Sequence, residues 1–140
     1  MAEESTTPDL EDLARRGVEA FARGDAEAAV TLYSRGAVFD MSFVGADIFE
    51  GYEAIRGLLE DWVVAYEEYE AELEEFRELG NDATFAVLLH RGRLIGSSGF
   101  IQLRHSYTLT WADGCVERNT VRADIEEARA AAERLAQERG

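Results

Sequence analysis

Tyr69-Glu70-Ala71-Glu72-Leu73-Glu74-Glu75-Phe76 alternates apolar and acidic residues as far as Glu74, and then the alternation slips by one position. Strict alternation marks a strand with one dry face and one wet face. Phe76 returns to the dry face only if an extra residue is absorbed at Glu74-Glu75, which is a β-bulge. A bulge bends the sheet that carries it, so this stretch predicts a curved sheet. The charge run from Glu67 to Glu78 reads as a solvated strand face that also discourages edge pairing.

Downstream, Gly80-Asn81-Asp82 turns the chain, and Ala83 to Leu89 is a nearly continuous apolar strand of the kind covered on both faces. Gly92, Gly96 and Gly99 punctuate the next stretch. A clear strand follows, with Leu103, His105, Tyr107, Leu109 and Trp111 on one side and Gln102, Arg104, Ser106, Thr108 and Thr110 on the other. Asp113-Gly114 signals a hairpin into a last strand, Cys115 to Arg122. Asp124 caps an Ala-rich helix ending near Arg139.

Upstream, residues 1–8 read as a flexible tail, with Thr7 as a candidate cap and Pro8 in the first turn of a helix. Leu10, Leu13, Ala14, Val18 and Phe21 give that helix a 3.6-residue period, and Gly24 ends it. Asp25 caps a second helix expected over Ala26 to Ser34. Ala37 to Phe43 reads as a strand with Phe39, Met41 and Phe43 on one side, and Gly45 to Gly51 as a loop. Ile55, Leu58, Leu59, Trp62 and Tyr66 form the stripe of a third helix, expected over Tyr52 to Tyr66. The predicted order is helix, helix, strand, helix, four antiparallel strands, helix. One domain over 9–125, with a C-terminal helix over 126–140, accounts for the chain.

Composition narrows the function. The 140 residues carry a formal charge of −15 and no lysine. Such a surface repels nucleic acid and anionic membranes, and the missing lysine removes Schiff-base chemistry. The apolar fraction of 46% supplies a real core. No apolar run nears the roughly 18 residues that span a bilayer, and the acidic N-terminus lacks signal-peptide character, so a soluble cytoplasmic protein is expected. Cys115 stands alone, which excludes an internal disulfide; with two separated histidines it gives no metal site, and no cofactor is expected. His90-Arg91-Gly92-Arg93 reads as a small basic patch that pairs with acidic residues of a neighbouring strand or subunit.

A curled sheet leaves a cone that helices on its concave side cannot fill, and pockets form in such places. The residues alone fit a packed aromatic core as well as a lined pocket. Four motifs bear on the choice. Phe21-Ala-Arg-Gly-Asp-Ala-Glu-Ala-Ala-Val30, Val38-Phe39-Asp40-Met41-Ser42, Gly51-Tyr-Glu-Ala-Ile-Arg56 with Trp62, and Trp111-Ala-Asp-Gly-Cys-Val-Glu-Arg118 resemble, in order and spacing, segments of SnoaL-like proteins of the nuclear-transport-factor-2-like superfamily. The resemblance spans about residues 10 to 125. It implies an α+β fold in which a cone-shaped, curved antiparallel sheet packs on about three N-terminal helices (the cystatin-like fold), here with an extra C-terminal helix. It also implies a small-molecule pocket and homodimerisation through the sheet.

The ketosteroid isomerase relatives place an Asp base and two acidic donors in the pocket. Those three positions fall here on Met41, Gly17 and Tyr107, so two roles are empty and steroid-type isomerisation is not expected. The polyketide cyclase relatives pair an acidic group with a histidine. On that pattern the candidate catalytic residues are His105, Tyr107 and Asp40: His105 or Asp40 as base, Tyr107 as donor to an oxyanion. The candidate ligand-binding residues are Phe39, Met41, Trp62, Tyr66, Leu103, Trp111 and Asn119. Whether Asp40 or Met41 faces inward, and whether Asn119 or Arg118 does, stays open at this level. The expected function is binding of a small, mostly apolar ligand in an enclosed pocket, with cofactor-free acid/base chemistry of isomerase, cyclase or hydratase type as its catalytic form. The alternative is a non-catalytic dimeric interaction module with a vestigial pocket. The sequence leaves open whether the chain is an enzyme.

Overall fold

The computed structural model describes residues 9–140. Helix α1 (Leu10–Ala22) is capped by Asp9, whose carboxylate accepts from the amides of Glu11 and Asp12. The cap expected at Thr7, the turn at Pro8 and the tail of residues 1–8 lie outside the described residues. Helix α2 (Ala26–Val30) is capped by Asp25 and is followed by β1 (Tyr33–Asp40), β2 (Ile48–Glu50) and α3 (Tyr52–Val64). The long strands β3 (Tyr66–Gly80), β4 (Ala83–Leu94), β5 (Ile101–Ala112) and β6 (Cys115–Arg122) lead to α4 (Ile125–Arg139), which Asp124 caps through the Glu127 amide.

The six strands form one sheet in the order β2-β1-β6-β5-β4-β3. Pairing is antiparallel from β3 through β6, as expected, but β1 runs parallel to β6, so the sheet is mixed. The segment read as a loop contains β2, which pairs with the end of β1. The second helix stops four residues short of Ser34, because Tyr33 already pairs with Val116 of β6. The first strand ends at Asp40, not Phe43. The Asp40 carboxylate accepts from the amide and hydroxyl of Ser42, and this local turn starts a short 3-10 segment, Ser42–Val44. Phe43 thereby leaves the side it was expected to share with Phe39 and Met41. It is half exposed, with the Arg122 guanidinium 3.8 Å above its ring.

Tyr66 also changes element. It opens β3 opposite Leu94 instead of closing α3. Gly92 makes this possible: a Cβ there would lie 2.6 Å from the Tyr66 ring and 2.8 Å from the Glu68 carbonyl oxygen. The bulge falls where the alternation slips, between Leu73 and Glu75. Asn81, Asp82 and Gly80 all take positive φ in the next turn.

Two layers cover the sheet. Helices α1 to α3 pack on the face that presents Leu88, Tyr107, Leu109 and Val121, forming the main core. On the opposite face, Ala128 and Ala132 of α4 pack on Phe85 and Val87. Strand β4 lies between both layers, which explains its unbroken apolar run. Strand β3 is an edge, and its glutamates are met by arginines: Arg91 near Glu70 and Glu72, Arg93 with Glu67 and Glu68, Arg104 with Glu74.

The tight approach at Gly92 generates a stability prediction. Gly92→Ala pushes a methyl group against the Glu68 backbone and is expected to cost about 1–3 kcal/mol in urea unfolding. Gly57→Ala, on α3 with nothing within 4 Å of the added atom, is expected to be neutral or to stabilise by up to about 1 kcal/mol. Equal stability of the two variants would contradict the packing at the β3–β4 end.

Candidate functional site

The cavity lies between α1, α3 and the concave face of the sheet and has a volume of about 90 Å³. Its walls are almost wholly apolar. Val18 and Phe21 come from α1, Leu59 and Trp62 from α3, and Leu73, Ala86, Leu88 and Leu109 from the sheet. Gly17, the place of the helical donor in the isomerase pattern, lines the same space. A Cβ there would meet Leu32 Cδ2 at 3.0 Å, so a leucine methyl occupies the volume a larger side chain would need.

Three polar side chains of the sheet also line the cavity: Tyr33, Tyr107 and Asn119. The Asn119 amide donates to the Tyr33 hydroxyl at 2.9 Å, while its own Oδ1 is buried without a partner among the described residues. Burial lifts the Tyr33 phenol to about 12, with the bond from Asn119 pulling the other way. Burial lifts Tyr107 far above the ordinary tyrosine value, reinforced by the two neighbouring phenols. Both tyrosines are therefore neutral hydroxyls at physiological pH, able to donate and unsuited to act as bases.

Tyr107 belongs to a chain of polar groups that sequence reading missed. His90 stands between two phenols, with Nδ1 2.5 Å from the Tyr69 hydroxyl and Nε2 2.8 Å from that of Tyr107. Burial, helped by the nearby His105, lowers the His90 imidazole to about 4. A neutral ring donates to one phenol and accepts from the other. Around it stand Trp62, whose ring centre is 5.6 Å away, and His105, at 5.8 Å. His105 is also lowered by burial, and its Nδ1 has no partner among the described residues. Nor has the Trp62 indole N–H, although it lies close enough to the Tyr69 oxygen to oppose part of that phenol's upward shift by burial.

The remaining candidates separate by position. Phe39 lines the cavity, as do Trp62 and Asn119. Met41 and Trp111 are buried but outside the lining; the Trp111 indole donates to the Thr84 hydroxyl at 2.9 Å. Leu103 and His105 share the concave face beyond the lining residues, and Tyr66 stacks against Tyr69 with ring centres 5.1 Å apart. Asp40 is outside the cavity. Burial pulls its carboxyl upward, but Ser42 and Arg118, the latter at 2.9 Å, outweigh this and hold it below the ordinary range. Arg118 thus faces outward and Asn119 inward. The expected basic patch divides likewise: Arg91 and Arg93 meet the glutamates of β3, whereas His90 is buried and neutral. Its parity, shared with Ala86 and Leu88, was the signal available for placing it inside. Among the described residues no group of three or more metal-ligating side chains gathers, and no helix is long and apolar enough to cross a membrane.

The buried neutral histidine couples stability to pH. In the unfolded chain His90 titrates near its ordinary value of about 6.5. Between that pH and about 4 the unfolded state binds the extra proton, so stability falls as pH is lowered through this window. The difference between wild type and His90→Gln in urea unfolding, read at pH 7 and again at pH 4, is expected to move by about 3 kcal/mol. A difference that does not change with pH would mean that His90 titrates normally.

A model of the SnoaL-like domain matches residues 14–122 of the chain. No curated protein matches it. Solved structures match it over most of its length. A hypothetical protein with a ketosteroid isomerase-like fold from Catenulispora acidiphila DSM 44928, in complex with trimethylamine, is 14% identical, covers 90% of this chain and 93% of its own, and has a TM-score of 0.72. SalBIII, an epoxide hydrolase/cyclase-like enzyme of pyran ring formation in the polyether salinomycin, is 18% identical over 90% and 96%, with a TM-score of 0.71. An NTF2-like protein of unknown function from Burkholderia pseudomallei K96243 is 14% identical over 90% and 98%, with a TM-score of 0.71. At these identities the likeness is one of fold. With the domain match running from α1 to the end of β6, over a curved sheet wrapped on three helices, the chain belongs to the SnoaL-like domain family.

Proposed function

We propose that the chain binds a small, uncharged, mostly apolar molecule in the cavity between α1, α3 and the sheet. One observation carries this reading: an apolar hollow has three neutral polar side chains, Tyr33, Tyr107 and Asn119, on its wall. Small-ligand sites have this composition, a dry surround with a few placed polar groups. Charge is disfavoured inside, because no arginine lines the walls and burial drives each titratable neighbour toward its neutral form.

The catalytic form of this reading is cofactor-free acid/base chemistry of isomerase, cyclase or hydratase type. The neighbouring imidazoles of His90 and His105 favour it. With His90 Nε2–H donating to the Tyr107 oxygen, the Tyr107 proton is left for a ligand carbonyl, where it would stabilise a developing enolate. His105, neutral and free at Nδ1, would move the proton. Asp40 has no part in this scheme, being committed to Arg118 and Ser42. Residues 9–125 would form the ligand-binding unit, with 126–140 added against its outer face. Any homodimer would use the part of that face that α4 leaves open, around Gln102 and Arg104. The single unpaired Cys115 suits the cytoplasm.

A thermal-shift screen of small cyclic ketones and lactones tests the reading, since a ligand that prefers the native state raises the melting temperature. Tyr107→Phe is expected to weaken a carbonyl ligand about tenfold, the worth of one buried hydrogen bond. If it turns over substrate, His105→Ala is expected to reduce turnover about 10²- to 10⁴-fold with little change in stability. A melting temperature unmoved by every compound would favour the interaction module with a vestigial pocket.

A further inference from the structure

We infer that Trp62 and Tyr69 are positioning residues: they hold the buried His90 imidazole in one neutral tautomer, bare at Nδ1 and protonated at Nε2, and so leave Tyr107 as the hydroxyl with an unused proton. The consequence for function rests on the hollow being a ligand site. Tyr69, His90 and Tyr107 stand on three neighbouring strands, β3, β4 and β5. Nδ1 of His90 is 2.5 Å from the Tyr69 hydroxyl and Nε2 is 2.8 Å from that of Tyr107. A neutral imidazole has one N–H and one lone pair, so one phenol donates to the ring and the other accepts from it. His90 is the sole hydrogen-bond partner of either phenol among the described residues. Whichever phenol accepts from the ring therefore keeps a proton that no described residue takes. Taken alone, the three groups fit both directions equally.

Trp62 breaks the tie. Its indole N–H can only donate, and it is buried without a partner at hydrogen-bond distance among the described residues. Its ring packs beside that of His90. Burial raises the Tyr69 phenol and Tyr66 adds to the rise, whereas the Trp62 N–H works against it, which places that donor toward the Tyr69 oxygen. Were His90 to donate from Nδ1, the Tyr69 oxygen would face two N–H groups and the Tyr107 oxygen none. With Nε2 protonated, each phenol oxygen receives one. Trp62 N–H, Tyr69 O–H, His90 Nε2–H and Tyr107 O–H then point the same way, and hydrogen bonds in series polarise one another. Burial, then the nearby His105, keeps the ring neutral, so this chain persists at ordinary pH. At its end Tyr107, on the cavity wall, is a donor whose oxygen is already engaged. An occupant bearing a carbonyl matches it; an occupant that can only donate does not.

Nitrogen NMR of the full chain with labelled histidine, at pH 7.5 and without ligand, reads the tautomer directly. The chain has two histidines, and His105→Gln separates their signals. For His90 the expected pattern is a pyridine-type Nδ1 and a pyrrole-type Nε2. In Trp62→Phe and in Tyr69→Phe the two resonances are expected to move toward one another, because the bias between tautomers is lost while the aromatic bulk stays. Should either variant fail to fold, the wild-type pattern decides by itself. A protonated Nδ1, or an even mixture in the wild type, overturns the inference, as does a pattern unchanged in both variants. The measurement needs no ligand, so a contrary tautomer overturns this inference alone, whereas a ligand screen without hits overturns the proposed function alone.

Discussion

Between Leu73 and Glu75 the pairing of β3 with β4 slips by one residue, and two successive glutamates, Glu74 and Glu75, point away from helices α1 to α3. Much of the architecture depends on that slip. It bends the sheet, so that residues on one face of β5 look into a hollow rather than a flat helix interface. It also supplies two outward anions in a row. Glu74 takes the Arg104 guanidinium of β5, two strands away, and Glu75 takes Arg129 of α4 through two contacts. These hydrogen bonds come first among the causes that hold both carboxyls below their ordinary range. One inserted residue thus shapes the concave side and ties down the element that covers the convex side.

Inside the hollow, chemistry follows from dryness. Burial along this face of the sheet suppresses ionisation: phenols rise, the neighbouring imidazoles fall, and no carboxylate lines the cavity. The net charge of −15 therefore lies outside the hollow, where the buried Asp40 is met by Arg118 and the exposed glutamates of β3 are met by arginines. A neutral interior inside an acidic shell favours hydrogen-bond selection over charge selection. It also makes His90 informative, because a neutral imidazole fixed between two phenols relays the orientation of one hydroxyl to the other.

The dry face of β5, the bulge and the covered run of β4 were legible because each depends on alternation within one strand. Less was legible where the deciding partner is remote in sequence. Three residues of β2 carry no period, and the parallel pairing of β1 with β6 joins residues 80 or more positions apart. Tyr66 fits a helical stripe as well as a strand; the space left by Gly92 decides between them, and no local rule contains that space. Asp40 and Met41 were separable only once Arg118 was known to face outward. His90 was obscured by its arginine neighbours, although its parity with Leu88 placed it inside. Tyr33 was assigned to a helix, which hid the partner of Asn119.

The outer face of β5 shows how far residue type can record a covering element that periodicity misses. Along one side of the strand the order is Gln102, Arg104, Ser106, Thr108, Thr110. All five are polar, and alternation alone assigns them to solvent. Gln102 and Arg104 are exposed, but Ser106, Thr108 and Thr110 are buried. The change from long charged or amide side chains to short hydroxyls marks where the layer headed by α4 begins to cover the sheet. A short hydroxyl can be satisfied by nearby backbone, as Ser106 is by the Arg122 carbonyl at 3.3 Å, whereas a buried arginine would need a carboxylate. The helix answers in kind: Ala128, Ala132 and Ala136 let it lie close on a flat surface, and its hold comes from polar contacts at both ends, Arg129 to Glu75 and the Asn81 amide to the Ala136 carbonyl. Since the domain match ends at residue 122, this cover is an addition beyond the matched domain. It leaves only part of the outer sheet free for any contact with another chain.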